Sequence, residues 1–271
     1  MSDHDEHGKD KRTKKHSKAR PSVAFGVDVG GTGIKGAPVD LSTGTLLADR
    51  LRIPTPELST PAAVAEVIGE LVSSFDLDDD VPVGVDFPAP IKHGVVKFIA
   101  NLDASWQGVN LRSVVSEQLG RRAWVLNDAD AAGYGEALFG AAADEKGSIL
   151  VVTLGTGIGT AIIVDGHLVP NTELGHLEMG GVDAETRASA VAREREDLSW
   201  EDWATTRLQP YFDLLDRYFS PDVFVIGGGV SKNHEKFLPL IDFHGVRAVP
   251  ATLRNNAGIV GAAAWAAAHA G

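Results

Sequence analysis

From Val23 onward, short apolar runs alternate with stretches of helical spacing. VAFGVDV is an apolar, β-branched run ending at Gly30 and Gly31, the pattern of a buried strand entering a tight turn. The residues that follow, up to Ile53, alternate around Asp40 to Gly44, so a second and a third strand are expected and not a helix. Thr60 and Pro61 supply an N-cap and a first-turn proline. Val64, Val67, Ile68, Leu71, Val72 and Phe75 then recur at i, i+3, i+4, which predicts a helix to about Phe75, closed by the acidic DLDDD. VPVGVDFP reads as a strand, VNLRSVVSEQLG as a helix stopped at Gly120, and RAWVL as a strand leading into NDADAAGYGEALFG.

SILVVTL repeats the opening theme, an apolar strand running into GTGIGT. AIIVDGHLV follows, and its Asp165-Gly166 pair is a hairpin signal. The unit around Asp28 thus recurs around Thr153, roughly 125 positions later, and suggests two related halves. Further on, a helix capped by Ser199, with Asp202 at the capping-box position, is expected through about Phe219. The strand DVFVIGGG, a helix from about Ser231, the strand VRAVP and an Ala-rich helix from Gly258 to Ala270 complete an α/β order. The first 20 residues hold seven Lys/Arg and four Asp/Glu, with only Met1 and Ala19 apolar. Residues 1–22 are therefore expected to form a disordered basic tail, either solubilising or touching an anionic partner.

The 271 residues suffice for one large domain or two small ones. A formal charge of −12 argues against general affinity for nucleic acid or an anionic membrane surface, and any basic track must be local. There is no cysteine, which excludes disulfides, thiolate metal sites and cysteine nucleophiles. Without an 18-residue apolar run or a signal-peptide core, a soluble cytoplasmic protein is expected.

DVGGTGIKG contains a G-x-G-x-x-G at Gly31, Gly33 and Gly36. A dinucleotide-binding fingerprint requires that loop to open a helix, whereas a hairpin is expected here, so a dehydrogenase is disfavoured. A glycine-rich turn between strands instead presents the N–H groups of Gly30, Gly31 and Gly33 to phosphate oxygens. Thr32 adds a hydroxyl and Lys35 a counter-charge. Asp28, at the strand end, is placed either to hold a hydrated Mg²⁺ or to bond the loop amides.

Two such loops can close on one phosphate chain from opposite sides, and five segments resemble the motifs of the actin-like sugar-kinase ATPase superfamily. DVGGTGIKG resembles the first phosphate motif and NDADAAGYGE the first connecting motif. LGTGIGTA, with Gly155, Thr156 and Gly157, resembles the second phosphate motif. VIGGGVS, with Gly228, resembles the nucleoside-side motif, and NNAGIVGAAAWA the second connecting motif. FPAPIKHGVV, NLDASW and ELGH narrow the resemblance to the ROK group of sugar kinases and repressors. It implies a two-domain, ribonuclease H-like α/β fold with a central interdomain cleft. The expected small domain spans 23–122, joined by the C-terminal helix 258–271, and the large domain spans 123–257. The resemblance also implies Mg²⁺ as cofactor and a homodimer, for which YFDLLDRYF offers an apolar helix face. It places Asp128 as the base that accepts the sugar hydroxyl proton, with a helix cap as the other reading, and Asn101, Asn127, Glu173 and His176 at the sugar. Glu185 is a further sugar-binding candidate.

ROK proteins usually carry a cysteine cluster after E-x-G-H that binds structural zinc with the histidine; without cysteine, no such zinc site is expected here. The segment in its place, with DASWQG and VPATLRNNAGIVGAA, resembles the actinobacterial-type polyphosphate glucokinases. That resemblance implies glucose, and for some members mannose, as acceptor, and inorganic polyphosphate, for some also ATP, as donor. The clamp that serves the phosphates of ATP also suits a string of phosphoanhydrides. A polymer further needs a basic track, for which Arg187, Arg193 and Arg195 are candidates, with Lys232, Arg254 and the tail behind them. The other reading of RERE is a solvated helix face. A strictly ATP-dependent ROK glucokinase is the alternative. A sugar-sensing repressor is remote, because only about 20 polar residues precede Val23, fewer than a helix-turn-helix needs.

Overall fold

The computed structural model of the chain describes residues 21–99 and 102–270. The expected basic tail, apart from Pro21 and Ser22, lies outside the described residues. The first half contains β1 (Val23–Val29), β2 (Ile34–Asp40), β3 (Thr45–Leu46), β4 (Leu51–Ile53), α1 (Pro61–Ser73), β5 (Val83–Phe87), a small hairpin of β6 (Ile91–Lys92) and β7 (Val95–Val96), α2 (Leu111–Leu119) and β8 (Ala123–Asn127). The sheet order is β3-β2-β1-β5-β8, with β4 also on β2. β1 and β2 form the expected antiparallel hairpin, and β5 and β8 add to it in parallel.

After α3 (Asp128–Phe139), the second half contains β9 (Ser148–Leu154), β10 (Ile158–Val164), β11 (His167–Val169), α4 (Glu185–Ala188), α5 (Ala190–Arg195), α6 (Trp200–Trp203), α7 (Gln209–Phe219), β12 (Val223–Gly227), β13 (Arg247–Pro250) and α8 (Ala257–His269). Its sheet order, β11-β10-β9-β12-β13, repeats the first: an antiparallel hairpin flanked by two parallel strands. The recurrence of the Asp28 unit at Thr153 is therefore a repeat of topology, and β1 and β9 share one alternation of buried and half-buried positions.

The outer face of the first sheet is closed by α1 and α2, with Phe25, Ile68, Leu71, Phe87 and Trp106 in its core. Trp203, Tyr211, Phe212, Phe224 and Phe237 build the corresponding core of the second. Between the sheets, α3 leaves β8 of the first sheet yet packs on β9 and β10, while α8 leaves the second sheet yet packs on β1 and β5. The two helices also pack on each other. α8 is apolar nearly all round and built from small residues, the composition of a helix enclosed on every side. Backbones come into direct contact there: a Cβ on Gly84 of β5 would overlap the Ala262 carbonyl, and one on Gly261 the Ala131 carbonyl.

Three expectations change in detail. A boundary after Arg122 would group β8 with the second sheet, but β8 pairs in parallel with β5. The helix expected from Ser231 is a run of tight 3₁₀ turns over Gly229–Lys236, interrupted by non-helical Asn233 and followed by Pro239. The helix capped by Ser199 does reach Phe219, but Ala204–Leu208 forms a π turn, because Pro210 has no N–H to continue the regular ladder. Ser199 Oγ accepts from the Asp202 N–H at 2.9 Å, and the Ser199 hydroxyl donates to the Asp202 carboxylate at 2.7 Å. Thr60 caps α1 as expected, and Gly120 ends α2 in a left-handed conformation. No helix among the described residues is long and apolar enough to cross a membrane.

The contacts at Gly84 and Gly261 generate a prediction. Gly261→Ala and Gly84→Ala should each lower stability in urea denaturation by about 1–3 kcal/mol, the usual cost of overpacking. A loss below about 0.5 kcal/mol, the range of an ordinary surface change, would contradict the backbone contact.

Candidate active site

The parallel strands of the first sheet end along one edge, which places Asp28 of β1 opposite Asp86 of β5. Asp128 follows immediately after Asn127, the last residue of β8. From the second sheet, Thr153 of β9 pairs with Gly227 of β12, and Gly228 follows. These residues, with Lys35, Arg254 and Gly258, line a cavity of about 230 Å³ between the two sheets. Of the residues expected to act on phosphate or proton, the structure thus brings together Asp28, Lys35, Asp128 and Gly228. The loops 30–33 and 155–157 emerge directly from β1 and β9 but are not among the residues lining this cavity. Each is closed by a short backbone bond, Gly30 N–H to the Gly33 carbonyl at 3.2 Å and Gly155 N–H to the Gly157 carbonyl at 3.0 Å. Arg52 of β4 donates to the Thr32 carbonyl at 2.6 Å and the Thr55 hydroxyl to that of Gly30 at 2.5 Å, so β4 and its extension brace the first loop. Thr32 and Thr156 are exposed.

Lys35 Nζ lies 3.1 Å from Asp28 Oδ2. Asp86 is fully buried, and its Oδ1 accepts from the Val29 N–H at 3.3 Å while Oδ2 has no partner. Burial, reinforced by the charges of Asp28 and Asp128, holds the Asp86 carboxyl well above the usual carboxylate range. Asp128 opens to solvent at its outer edge but is otherwise enclosed by protein; that loss of hydration raises it to about 6 against the opposing Ala129 N–H, with Asp28 and Glu173 adding to the rise. Asn127, not Asp128, caps α3: its Oδ1 accepts from Ala129 at 2.9 Å and Asp130 at 3.1 Å. The Asp128 Oδ1 shares the Ala129 N–H at 2.8 Å, but the Asp130 N–H goes to Asn127 alone. Asp130 is buried, which lifts it to about 7, and it accepts from the Asn171 N–H at 2.8 Å.

The donor set fits Mg²⁺. Two carboxylates on adjacent strands, one with an orphaned oxygen, supply hard oxygen ligands of the kind this ion prefers. Gly258 keeps the space beside Asp86 Oδ2 open, since a Cβ there would collide with it. Among the described residues no group of three or more side chains forms a ready cage; Mg²⁺ is ordinarily held by one or two carboxylates together with phosphate oxygens and water. Asp28 and Asp86 are the residues that would hold it. Asp86 was not among the expected residues, and its signal is a carboxylate set inside the apolar run VGVDF.

A second cluster adjoins Asp128. The His176 Nδ1 is 2.9 Å from Asp183 Oδ2 and 3.9 Å from Glu185, and its Nε2 is 3.9 Å from Glu173. Burial alone would depress the imidazole, but the Asp183 hydrogen bond and the three carboxylates outweigh it and raise His176 above the ordinary value. Burial also raises Glu173. Glu185 accepts from the Ile158 N–H at 3.1 Å and so ties this cluster to the second glycine loop. Asp183, also unexpected, reaches His176 across a turn carrying two positive-φ glycines, Gly180 and Gly181. Asn101 lies outside the described residues. Arg187, Arg193 and Arg195 line no part of the cavity. Arg193 lies 3.7 Å over the Trp200 ring, and Arg195 donates to the Thr186 carbonyl and to Glu196.

Residues 24–192 match the sequence model of the ROK family. The chain is 45% identical over 240 residues to a polyphosphate glucokinase of Mycobacterium tuberculosis, covering 88% of this chain and 89% of that protein. It is 33% identical to a glucokinase of Streptomyces coelicolor over 58% of this chain and 50% of that one. The crystal structure of the inorganic polyphosphate/ATP-glucomannokinase of Arthrobacter sp. strain KM superimposes with a TM-score of 0.82 at 51% identity, covering 90% and 98% of the two chains.

The contacts of His176 can be read directly. In an NMR titration its ring should turn over above the ordinary histidine value of about 6.5, and Asp183→Asn should move the midpoint down toward that value. An unchanged midpoint would remove Asp183 as the partner.

Proposed function

The chain belongs to the ROK family, and from that premise we propose that it transfers a phosphoryl group from inorganic polyphosphate to the 6-hydroxyl of glucose. The observation that carries this reading is the convergence of Asp128 with the Asp28–Lys35 pair in one cavity between two strand-hairpin phosphate units. Phosphoryl transfer needs little covalent chemistry from the protein; it needs positioning, charge compensation and a carboxylate beside the attacking oxygen.

In this mechanism Asp128 orients the sugar hydroxyl and accepts its proton as the new O–P bond forms. A carboxyl raised to about 6 is better matched to that task near neutral pH than an ordinary one. Lys35 faces the phosphate charge, and the backbone N–H groups of Gly31, Gly33, Gly157 and Gly228, with the Thr32 and Thr156 hydroxyls, receive phosphate oxygens as the cleft closes, while the Gly30 and Gly155 N–H groups expected in that role instead close their own loops. Mg²⁺ held by Asp28 and Asp86 would neutralise charge on the donor. The remaining sugar hydroxyls require several polar partners, since one left unpaired in a closed site is penalised. The Asn127 amide, Glu173 and His176 fill that role next to Asp128, with Asn101 and Glu185 completing it. Closure of the first sheet with α8 against the second sheet with α3 would exclude water as a competing acceptor.

Polyphosphate is preferred as donor because the relatives at 45% and 51% identity over 88% and 90% of the chain are named for it, whereas the Streptomyces coelicolor glucokinase is 33% identical over 58% of the chain and the Streptomyces griseus glucokinase 24% identical over 90%. ATP as a second donor and mannose as a second acceptor belong to the same reading, supported by the name of the Arthrobacter enzyme. A cytoplasmic homodimer, with the apolar α7 residues Tyr218 and Phe219 at its surface, completes the proposal.

Asp128→Ala should retain glucose binding, measured by calorimetry, while turnover falls about 10²- to 10⁴-fold with every donor. Retention of more than about a tenth of wild-type turnover would remove Asp128 as the base.

A further inference from the structure

The cavity around Asp128 opens, past Gly228, Ser231, Arg254 and Asn255, into a larger cleft of about 960 Å³. Its walls carry Arg50, Lys232, His234 and Arg254 and no Asp or Glu, in a chain whose 37 acidic residues outnumber its 25 basic ones. Such a sign reversal around a concave surface focuses field on an anion and attracts it. Lys232 and Arg254 are exposed, and among the described residues no hydrogen bond or ion pair engages either charged group. Arg50 is different: it donates to the Asn255 carbonyl at 2.8 Å and to Asn256 at 3.2 Å, and so holds the wall across from β4. His234 engages the Ser231 carbonyl through Nδ1 at 2.9 Å.

We infer that the donor polyphosphate leaves the transfer cavity through this cleft, with Lys232 and Arg254 binding the phosphate units behind the reacting one. This rests on the proposed use of polyphosphate as donor and assigns the path of that polymer. No Phe, Tyr or Trp lines the cleft, and its apolar contribution is limited to Pro250, Ala251 and Leu253. A purine base would be held by apolar and aromatic walls. A repeating anion needs spaced cations that are not already neutralised, and this surface supplies them. The assignment also relieves α5 of that role, since its Arg193 is stacked on Trp200 and Arg195 is paired.

The test is direct binding of long-chain polyphosphate, and separately of ATP, to wild-type protein, Lys232→Gln, the Lys232→Gln/Arg254→Gln pair, and Arg112→Gln. The last removes the same charge from α2, outside both cavities. Charge-assisted contacts of this kind predict a polyphosphate affinity at least about tenfold weaker for Lys232→Gln, weaker again for the pair, and unchanged for Arg112→Gln. ATP affinity should fall by a smaller factor. Polyphosphate affinity within about twofold of wild type in the double variant would overturn the assignment, as would a greater loss for ATP than for polyphosphate. Wild-type transfer from polyphosphate to glucose is measured alongside: its absence would overturn the donor reading itself, separately from where the polymer binds.

Discussion

The structure depends on two helices that approach their neighbours with no side chain in between. Gly261 of α8 lies against the Ala131 carbonyl of α3, and Gly84 of β5 against the Ala262 carbonyl of α8. Because α3 rests on the second sheet and α8 on the first, these contacts set how far apart the two sheets stand. The strand ends carrying Asp28, Asp86 and Asp128 face those carrying Thr153 and Gly228 at that distance. Each added methyl at those glycines would act as a spacer between the halves of the site. The Ala-rich composition of α8 is thus a requirement of the cavity as much as of the core.

The second constraint is charge. Asp28, Asp86 and Asp128 share one small space with Glu136, and Asp86 has no solvent and only one hydrogen bond. Such a cluster is costly unless cations answer it. Lys35 answers on one side, and the hard-oxygen ligand set suits Mg²⁺ on the other. Farther out, the sign changes, and Lys232 and Arg254 stand in a wall without carboxylates. An acidic protein can therefore present a locally basic surface to a polyanion at the mouth of the transfer cavity.

Much of this was legible in the residues. The duplicated strand, glycine loop and hairpin at Asp28 and Thr153 is a local pattern with its own turn chemistry, so the repeated sheet topology could be read before any tertiary contact was known. What the pattern does not disclose is which sheet a strand joins: RAWVL is as apolar as any other strand, and only its pairing with β5 moves it to the first sheet. The region after Ser231 misled because its apolar and polar spacing is helical, whereas Gly228, Gly229 and Pro239 allow only 3₁₀ turns. Asp28 and Lys35 stand at strand ends close to glycines, and Asp128 directly follows a strand, positions where function is visible. Asp86 lay inside a strand and Asp183 across a turn seven residues from His176, and both take their meaning from partners distant in sequence or geometry. The stacking of the Arg193 guanidinium on Trp200 joins residues of separate helices and has no local sequence signal.

In the proposed reaction one clamp, built from two copies of a strand-hairpin unit, passes phosphate from an inorganic polymer to a sugar. The most direct measurement supplies glucose, Mg²⁺ and nucleotide-free polyphosphate to the purified protein and follows glucose 6-phosphate. The account predicts steady product formation without any nucleotide. Product formed with ATP alone, and none from the polymer, would contradict it.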